Sequence, residues 1–176
     1  MQTFIALLRG INVGGHRVIA MADLRALFAA AGAAEVVTHI QSGNVVFRHA
    51  SDSPAQLASQ LESEIAKATG FDVAIVLRSA AEWDAVVTDN PFADADADHL
   101  HVSFFASSPP AGALDPIDAV AHRPERFALA RRELYLYLPG GLGRSKLVAA
   151  LGKLKPITAA TTRNWRTVLK LLELAS

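Results

Sequence analysis

The chain has 176 residues, no cysteine, a formal net charge of zero and 51% hydrophobic residues. This length and composition are typical of a globular protein with one domain or two small ones, and they exclude intrinsic disorder. The absence of cysteine excludes disulfides, thiolate metal sites and a cysteine nucleophile.

The first predicted element is a short buried strand over residues 4–8. Its apolar run is too short for a signal peptide and lacks a basic leader. No segment approaches the roughly 20 apolar residues that a membrane helix needs. We therefore expect a cytoplasmic protein that does not contact a membrane.

The rest of the N-terminal half predicts a helix, a hairpin, a second helix and a further strand. A Gly-rich loop over residues 9–15 precedes the first helix, and Gly32 ends that helix. The hairpin turns at residues 42–44, and the second helix begins at Ser53 with a capping box that includes Gln56. The order β-α-β-β-α-β is that of a ferredoxin-like lobe.

The C-terminal half predicts a similar order. A capping box at Ser79 and Glu82 starts a helix, and a strand over residues 101–106 follows. We then expect a short helix near residues 114–120, a hairpin over residues 126–138, a helix from Ser145 and a last helix from about Thr162. No fourth strand is evident in this half.

The predicted fold is therefore α+β, with two ferredoxin-like (α-β plait) lobes over residues 1–80 and 81–176. The second lobe carries an extra C-terminal helix. Residues 4–8 and 73–77 are apolar on both faces of their strands, so the open face of the first sheet must be covered. The other lobe or a second subunit is the expected cover, which leaves a homo-oligomer as an open alternative.

Charge is unevenly distributed along the chain. Residues 82–98 hold six acids and no base, whereas residues 134–172 hold seven bases and no acid. Such a partition favours binding of an anion or of an acidic partner, and uneven solvation is the alternative explanation.

Two loops of the N-terminal half carry candidate ligand contacts. The Gly-rich loop matches neither a dinucleotide fingerprint nor a P-loop, so a binding loop and a purely structural loop both stay open. The hairpin tip is explained by turn geometry, and its polar side chains are candidates for contacting a ligand. The candidates are Arg9, Asn12, Gly14, Gly15, Gln41, Ser42 and Asn44.

Two predicted helix starts carry cations where the helix dipole disfavours them. Arg144 and Lys146 flank Ser145, and Arg163 follows the Thr161–Thr162 cap and precedes Asn164. A bound anion would reverse that cost, because backbone amides and side chains would converge on it. These residues therefore predict an anion site, against the alternative that the cations simply face water.

Other motifs are incomplete. The histidines and aspartates of residues 94–101 lack the glycine and glutamate of an EF-hand, and no nucleophile elbow is present. The strand after the hairpin turn lacks the stacking aromatics of RNA-recognition modules. We predict no metal and no cofactor.

Five segments together resemble a bacterial family called "domain of unknown function 1697". They are residues 8–15, 40–47, 90–92, 143–147 and 162–165. The resemblance spans nearly the whole chain and implies two α/β plait lobes. It implies no activity, substrate or catalytic residue.

The leading functional hypothesis is binding of a phosphate-bearing ligand, either a nucleotide or a nucleic acid, in a cleft built from these loops and helix starts. An enzyme acting on a phosphorylated substrate is the first alternative, but it needs a base or a metal and no carboxylate lies among the motifs. An interaction or oligomerisation module is the second alternative.

Overall fold

The computed structural model describes the whole chain, residues 1–176, as an α+β protein. The strands are β1 (Gln2–Leu8), β2 (Ala34–His39), β3 (Asn44–His49), β4 (Ile75–Ser79), β5 (Leu100–Phe104), β6 (Arg126–Ala130), β7 (Glu133–Tyr137) and β8 (Thr161–Asn164). The helices are α1 (Met21–Ala30), α2 (Pro54–Thr69), α3 (Ala80–Thr88), α4 (Lys146–Leu151) and α5 (Trp165–Ala175). None of these helices combines the length and the apolar character needed to cross a bilayer.

The chain divides into two compact units. Unit 1 comprises Met1–Ala85 together with Lys170–Ser176, and unit 2 comprises Val86–Leu169. Both division points fall within helices, α3 and α5.

Unit 1 contains a four-stranded antiparallel sheet in the order β2-β3-β1-β4. The core on one face is aromatic at its centre, where the Phe47 ring lies 5.8 Å from Phe4 and 5.1 Å from Phe28. The longest helix, α2, follows its sequence signals: the Ser53 side chain accepts a hydrogen bond from the Gln56 amide, and Gly70 ends the helix with φ of 79°.

The central strand β1 is buried on both faces. Side chains alternate along a strand, and Phe4, Ala6 and Leu8 belong to the helix-covered core. Ile5 and Leu7, which point the other way, are also fully buried. The second face of this sheet is therefore covered, as the two-sided apolar pattern predicts.

Unit 2 repeats the strand arrangement of unit 1. Its antiparallel sheet has the order β6-β7-β5-β8, so the chain-order positions are 2-3-1-4 in both units. Alternate residues of β7, Leu134 and Leu136, pack in one core with Leu147 and Leu151 of α4. The two four-stranded antiparallel sheets confirm the predicted α+β class.

Two details of unit 2 differ from the predictions. Thr161–Asn164 forms a fourth strand that pairs with β5, although its polar sequence predicts the start of a helix. The short helix expected near residues 114–120 is absent, and turns occupy residues 111–116 and 119–124. Local sequence explains the second difference, because Asp118 accepts hydrogen bonds from the Val120 and Ala121 amides in a turn.

Candidate functional site

The Gly-rich loop of unit 1 is closed by one side chain. Asn12 Nδ2 donates to the Ile19 carbonyl at 3.0 Å and to the Gln41 carbonyl at 2.9 Å. Its Oδ1 accepts a hydrogen bond from the Ile19 amide at 2.8 Å. The sequence predicts a ligand contact at Asn12, and in the structure its amide atoms hold the loop closed and attach it to the hairpin turn.

Glycine is required where this loop meets the turn. Gly43 is buried with φ of 75°, and its carbonyl accepts a hydrogen bond from the Leu8 amide at 2.8 Å. A Cβ at this position would lie 2.7 Å from the Leu8 Cβ. The glycine therefore permits both the left-handed turn and the close approach of the two segments.

The other predicted contacts of unit 1 separate into two groups. Asn44 is fully buried, and its Nδ2 donates to the His39 carbonyl and to the Ser42 Oγ, so it stabilises the hairpin. The remaining candidates are exposed around the same loop and turn; they are Arg9, Gly14, Gly15, Gln41 and Ser42. The structure thus brings all seven N-terminal candidates into one region of unit 1.

The start of α4 in unit 2 is stabilised by two oxygens of the chain itself. Ser145 Oγ accepts a hydrogen bond from the Val148 amide at 2.9 Å, which confirms the predicted N-cap. Glu125 Oε2 accepts a hydrogen bond from the Leu147 amide at 3.0 Å. Glu125 therefore offsets the adverse position of Arg144 and Lys146, because it places an internal anion at the positive end of the helix.

An open hollow of about 350 Å³ lies beside this helix start. Three cationic side chains line it, from Arg123, Arg144 and Lys146, and all three residues are exposed. Its other lining residues are Ala121, His122, Pro124, Glu125, Pro139 and Gly140. A cationic surface of this kind suits an anion.

Sequence reasoning did not single out Arg123 or Glu125. They lie more than fifteen residues before α4 along the chain, and the fold brings them to its start. The only available signal was the run of charged residues around Pro124, from His122 to Arg126. Glu125 lies outside the sequence motifs and adds a carboxylate to the lining of the hollow.

Arg163 is not in the first turn of a helix. It lies in β8 with 8% exposure, and its Nη1 donates to Thr161 Oγ1 at 2.8 Å and to the Thr162 carbonyl at 2.9 Å. Burial lowers the pKa of Arg163 to about 10. The helix α5 instead begins after Asn164, whose Oδ1 accepts a hydrogen bond from the Thr167 amide at 2.8 Å.

The acidic and basic segments pair with each other and with neighbours in unit 2. Arg166 binds Asp98 through two hydrogen bonds of 2.7 and 2.8 Å. Asp94 and Asp89 lie 3.6 and 3.5 Å from Arg126 and Arg131. These ion pairs partly neutralise the acidic and basic segments of the sequence. In the hollow, by contrast, three cationic side chains line one concavity. No group of three or more histidine, aspartate or glutamate residues is suited to hold a metal ion.

The fold and this hollow define a class: a two-unit α+β protein with a cationic concavity in its second unit. The chain belongs to the DUF1697 family, described as proteins of unknown function, whose model matches residues 1–135. That match includes Arg123 and Glu125 but ends before Arg144.

One solved structure shares the whole fold. It is the conserved bacterial protein SP0830 from Streptococcus pneumoniae, which aligns with a TM-score of 0.78 and 24% sequence identity over 99% of each chain. At this identity the likeness shows the fold alone. No curated protein matches the chain.

Proposed function

We propose that the hollow of unit 2 binds a small phosphate-bearing ligand. The observation that carries the proposal is the convergence of Arg123, Arg144 and Lys146 on one concavity. Glu125 is the only carboxylate among its lining residues, and the Leu147 amide donates a hydrogen bond to it. The lining therefore keeps an excess of positive charge, and charge-assisted hydrogen bonds to phosphate oxygens are the strong kind.

The size of the hollow favours a ligand no larger than a mononucleotide. Ligand pockets commonly enclose about 300–1,000 Å³, and about 350 Å³ is near the lower limit. Pro124 and Pro139 supply apolar surface beside the cations. A phosphate bound by the cations and a ring packed on the prolines would use both parts of the lining.

The exposed N-terminal candidates Arg9, Gln41 and Ser42 belong to unit 1, and the proposal for the hollow does not depend on them. Their role as ligand contacts stays a prediction from the sequence. Replacing Arg9 with alanine tests it separately, because a weaker affinity for a phosphorylated probe is expected only if Arg9 contacts the ligand.

Calorimetric titration with adenosine monophosphate, inorganic phosphate and a sugar phosphate at low salt tests the proposal. We expect Arg144→Ala and Lys146→Ala each to weaken binding by about tenfold, the equivalent of about 1.4 kcal/mol. Lys153→Ala is the matched control, since Lys153 is an exposed cation of the same unit outside the hollow. Absence of binding by every phosphorylated probe would contradict the proposal, and so would an equal loss in the control.

Titration with oligonucleotides distinguishes a mononucleotide from a nucleic acid as the ligand of the hollow. Binding to a single strand that weakens steeply and log-linearly with salt would indicate several phosphate contacts. Binding of the mononucleotide with little gain from a longer strand would support the small ligand.

A second candidate function is chemistry on a phosphorylated substrate. His122 and Glu125 line the same hollow as the cations, and imidazole and carboxylate groups are the usual proton carriers of general acid–base catalysis. A panel of generic phosphoesters, with and without Mg²⁺, tests it. Turnover that is lost in His122→Gln would support catalysis, and no turnover of any ester would leave binding alone.

A further inference from the structure

A second surface, in unit 1, displays apolar side chains to solvent. We call the region formed by residues 9–19 and 40–43 the loop–turn surface. Val13, Val18 and Ile40 on it are 65%, 67% and 54% exposed. Each is adjacent in sequence to a residue of one hydrogen-bonded group. In that group the Asn12 amide donates to the Arg17 carbonyl at 3.2 Å, and the Asn12 side chain donates to the Gln41 carbonyl. Three large aliphatic side chains are therefore held in one region without burial.

The backbone beneath these side chains is strained. Ile40 has φ of 48° and Arg17 has φ of 49°, values that residues other than glycine, asparagine and aspartate rarely adopt. The conformation is least favourable for a β-branched residue such as Ile40. The Asn12 and Asn44 side chains donate to the Gln41 and His39 carbonyls on either side of Ile40, so the surrounding structure imposes this conformation. Backbone strain that is held in this way is concentrated at functional sites.

The charge on this surface is predominantly positive. Arg9, His16 and Arg17 are exposed on it, and no aspartate or glutamate occurs in residues 1–22 or 36–51. The nearest acids along the sequence are Asp23 and Glu35. Asp23 lines a hollow together with Val18, so the two arginines leave an excess of positive charge. An occupant with apolar and acidic side chains is complementary to such a surface.

The loop–turn surface is also held in place before any partner arrives. The Asn12 side chain closes the loop, and the packing of Gly43 against Leu8 fixes the turn. A preorganised surface loses little conformational entropy when it binds. It is therefore suited to dock a flexible segment of a partner.

We propose that the loop–turn surface docks an acidic, aliphatic segment of another protein. The exposed apolar side chains are aliphatic, so the surface has no platform on which nucleic acid bases could stack. Its basic residues are fewer than the cluster of about four to eight lysines or arginines that recognises anionic lipid. Carboxylates of the partner would pair with Arg17 and Arg9, while leucine, isoleucine or valine side chains would cover Val13, Val18 and Ile40.

Selection of random twelve-residue peptides on the immobilised full-length protein, followed by anisotropy titration of the selected peptides, tests this proposal. We expect selected peptides to combine aspartate or glutamate with leucine, isoleucine or valine. Ile40→Asn should raise the Kd at least tenfold. The same change should raise the Tm by roughly 2–4 °C, because asparagine accepts the left-handed conformation. Weaker binding by a more stable protein is a result that loss of folding cannot produce.

Charge reversal provides the second arm of this experiment. Arg17→Glu should also raise the Kd at least tenfold, whereas Lys153→Glu and Val120→Asn, exposed positions of unit 2, should leave it unchanged. Selection without acidic aliphatic sequences would overturn the proposal. Peptides that bind Ile40→Asn and Arg17→Glu as well as the unaltered protein would overturn it too, as would binding confined to phosphatidylserine vesicles or to oligonucleotides. None of these variants alters the hollow, so this proposal and the phosphate proposal fail independently.

Discussion

His101 is a half-buried imidazole with an unmet hydrogen-bonding group. Its Nδ1 is buried and has no hydrogen-bond partner. Burial lowers the pKa of His101, a backbone hydrogen bond with His99 raises it, and the charge of the nearby His99 ring lowers it. The neutral imidazole is therefore the form that the folded protein favours.

His101 should make the protein sensitive to mild acid. The unfolded chain takes up the proton near pH 6.5, and the folded protein takes it up only at a lower pH. The free energy of unfolding should therefore fall as the pH drops below about 6.5. Urea denaturation of the protein and of His101→Gln at pH 7.5 and 5.0 measures the effect, and we expect a smaller loss in the variant. His16→Gln, at an exposed position, is the control; equal losses in all three proteins would contradict the prediction.

Arg163 illustrates how a cation in a motif can have a structural role. Its guanidinium is buried in β8 and donates hydrogen bonds to Thr161 and Thr162. Lysine cannot reproduce the planar set of donors, and a hydrogen bond to a charged group contributes about 1.5–3 kcal/mol. We expect Arg163→Lys to lower the free energy of unfolding by about 2 kcal/mol and to leave phosphate affinity at the hollow unchanged. Unchanged stability together with weakened phosphate binding would show that Arg163 contacts the ligand instead.

At the scale of the elements, the join between the Gly-rich loop and the hairpin turn is the least tolerant part of unit 1. Alanine at Gly43 would combine an unfavourable φ with a Cβ contact of 2.7 Å to Leu8. Left-handed strain and overpacking each cost about 1–3 kcal/mol. We expect Gly43→Ala to lower the free energy of unfolding by about 2–4 kcal/mol.

Gly15 is the matched control for Gly43. Its φ of 76° is nearly the same, but a Cβ there would meet nothing within 4 Å. Gly15→Ala should therefore cost only about 1 kcal/mol. Chemical denaturation of both variants separates the two contributions, and equal losses would show that the close approach to Leu8 is unimportant.

Elements set by local sequence could be predicted, and elements set by distant pairing could not. The Ser79–Glu82 capping box is present: the Ser79 amide donates to Glu82 Oε2 at 2.8 Å, and the Glu82 amide donates to Ser79 Oγ at 3.2 Å. The alternating residues of β7 also predict their strand. In contrast, Thr161–Asn164 is polar and becomes a strand only by pairing with β5, far away along the chain.

The same distinction applies to the candidate site. Ser145 could be recognised as a cap because its partner, the Val148 amide, lies three residues away. Glu125 reaches the same helix start from twenty-two residues before Leu147, and no local pattern announces such a contact. The Asn12 side chain likewise donates to the Gln41 carbonyl of a distant segment, and no local pattern indicates this structural role.

At the scale of the whole molecule, the two units share more than the order of their elements. Both sheets place their chain-order strands as 2-3-1-4. The fourth strand of each contains a buried arginine, Arg78 or Arg163, followed directly by a residue that caps the next helix, Ser79 or Asn164. No repeat of residues was apparent in the sequence, because these pairs are too short to be noticed without the sheets that align them.

The two units differ most in the connection between their first and second strands. In unit 1 this connection contains the Gly-rich loop and α1, whereas in unit 2 it contains turns and the residues from Ala121 to Glu125 that line the hollow. Both proposed binding surfaces therefore include residues from the connection between the first and second strands of their unit. Substitutions confined to these two connections could therefore change which ligands the protein binds, while the eight strands keep their order and pairing.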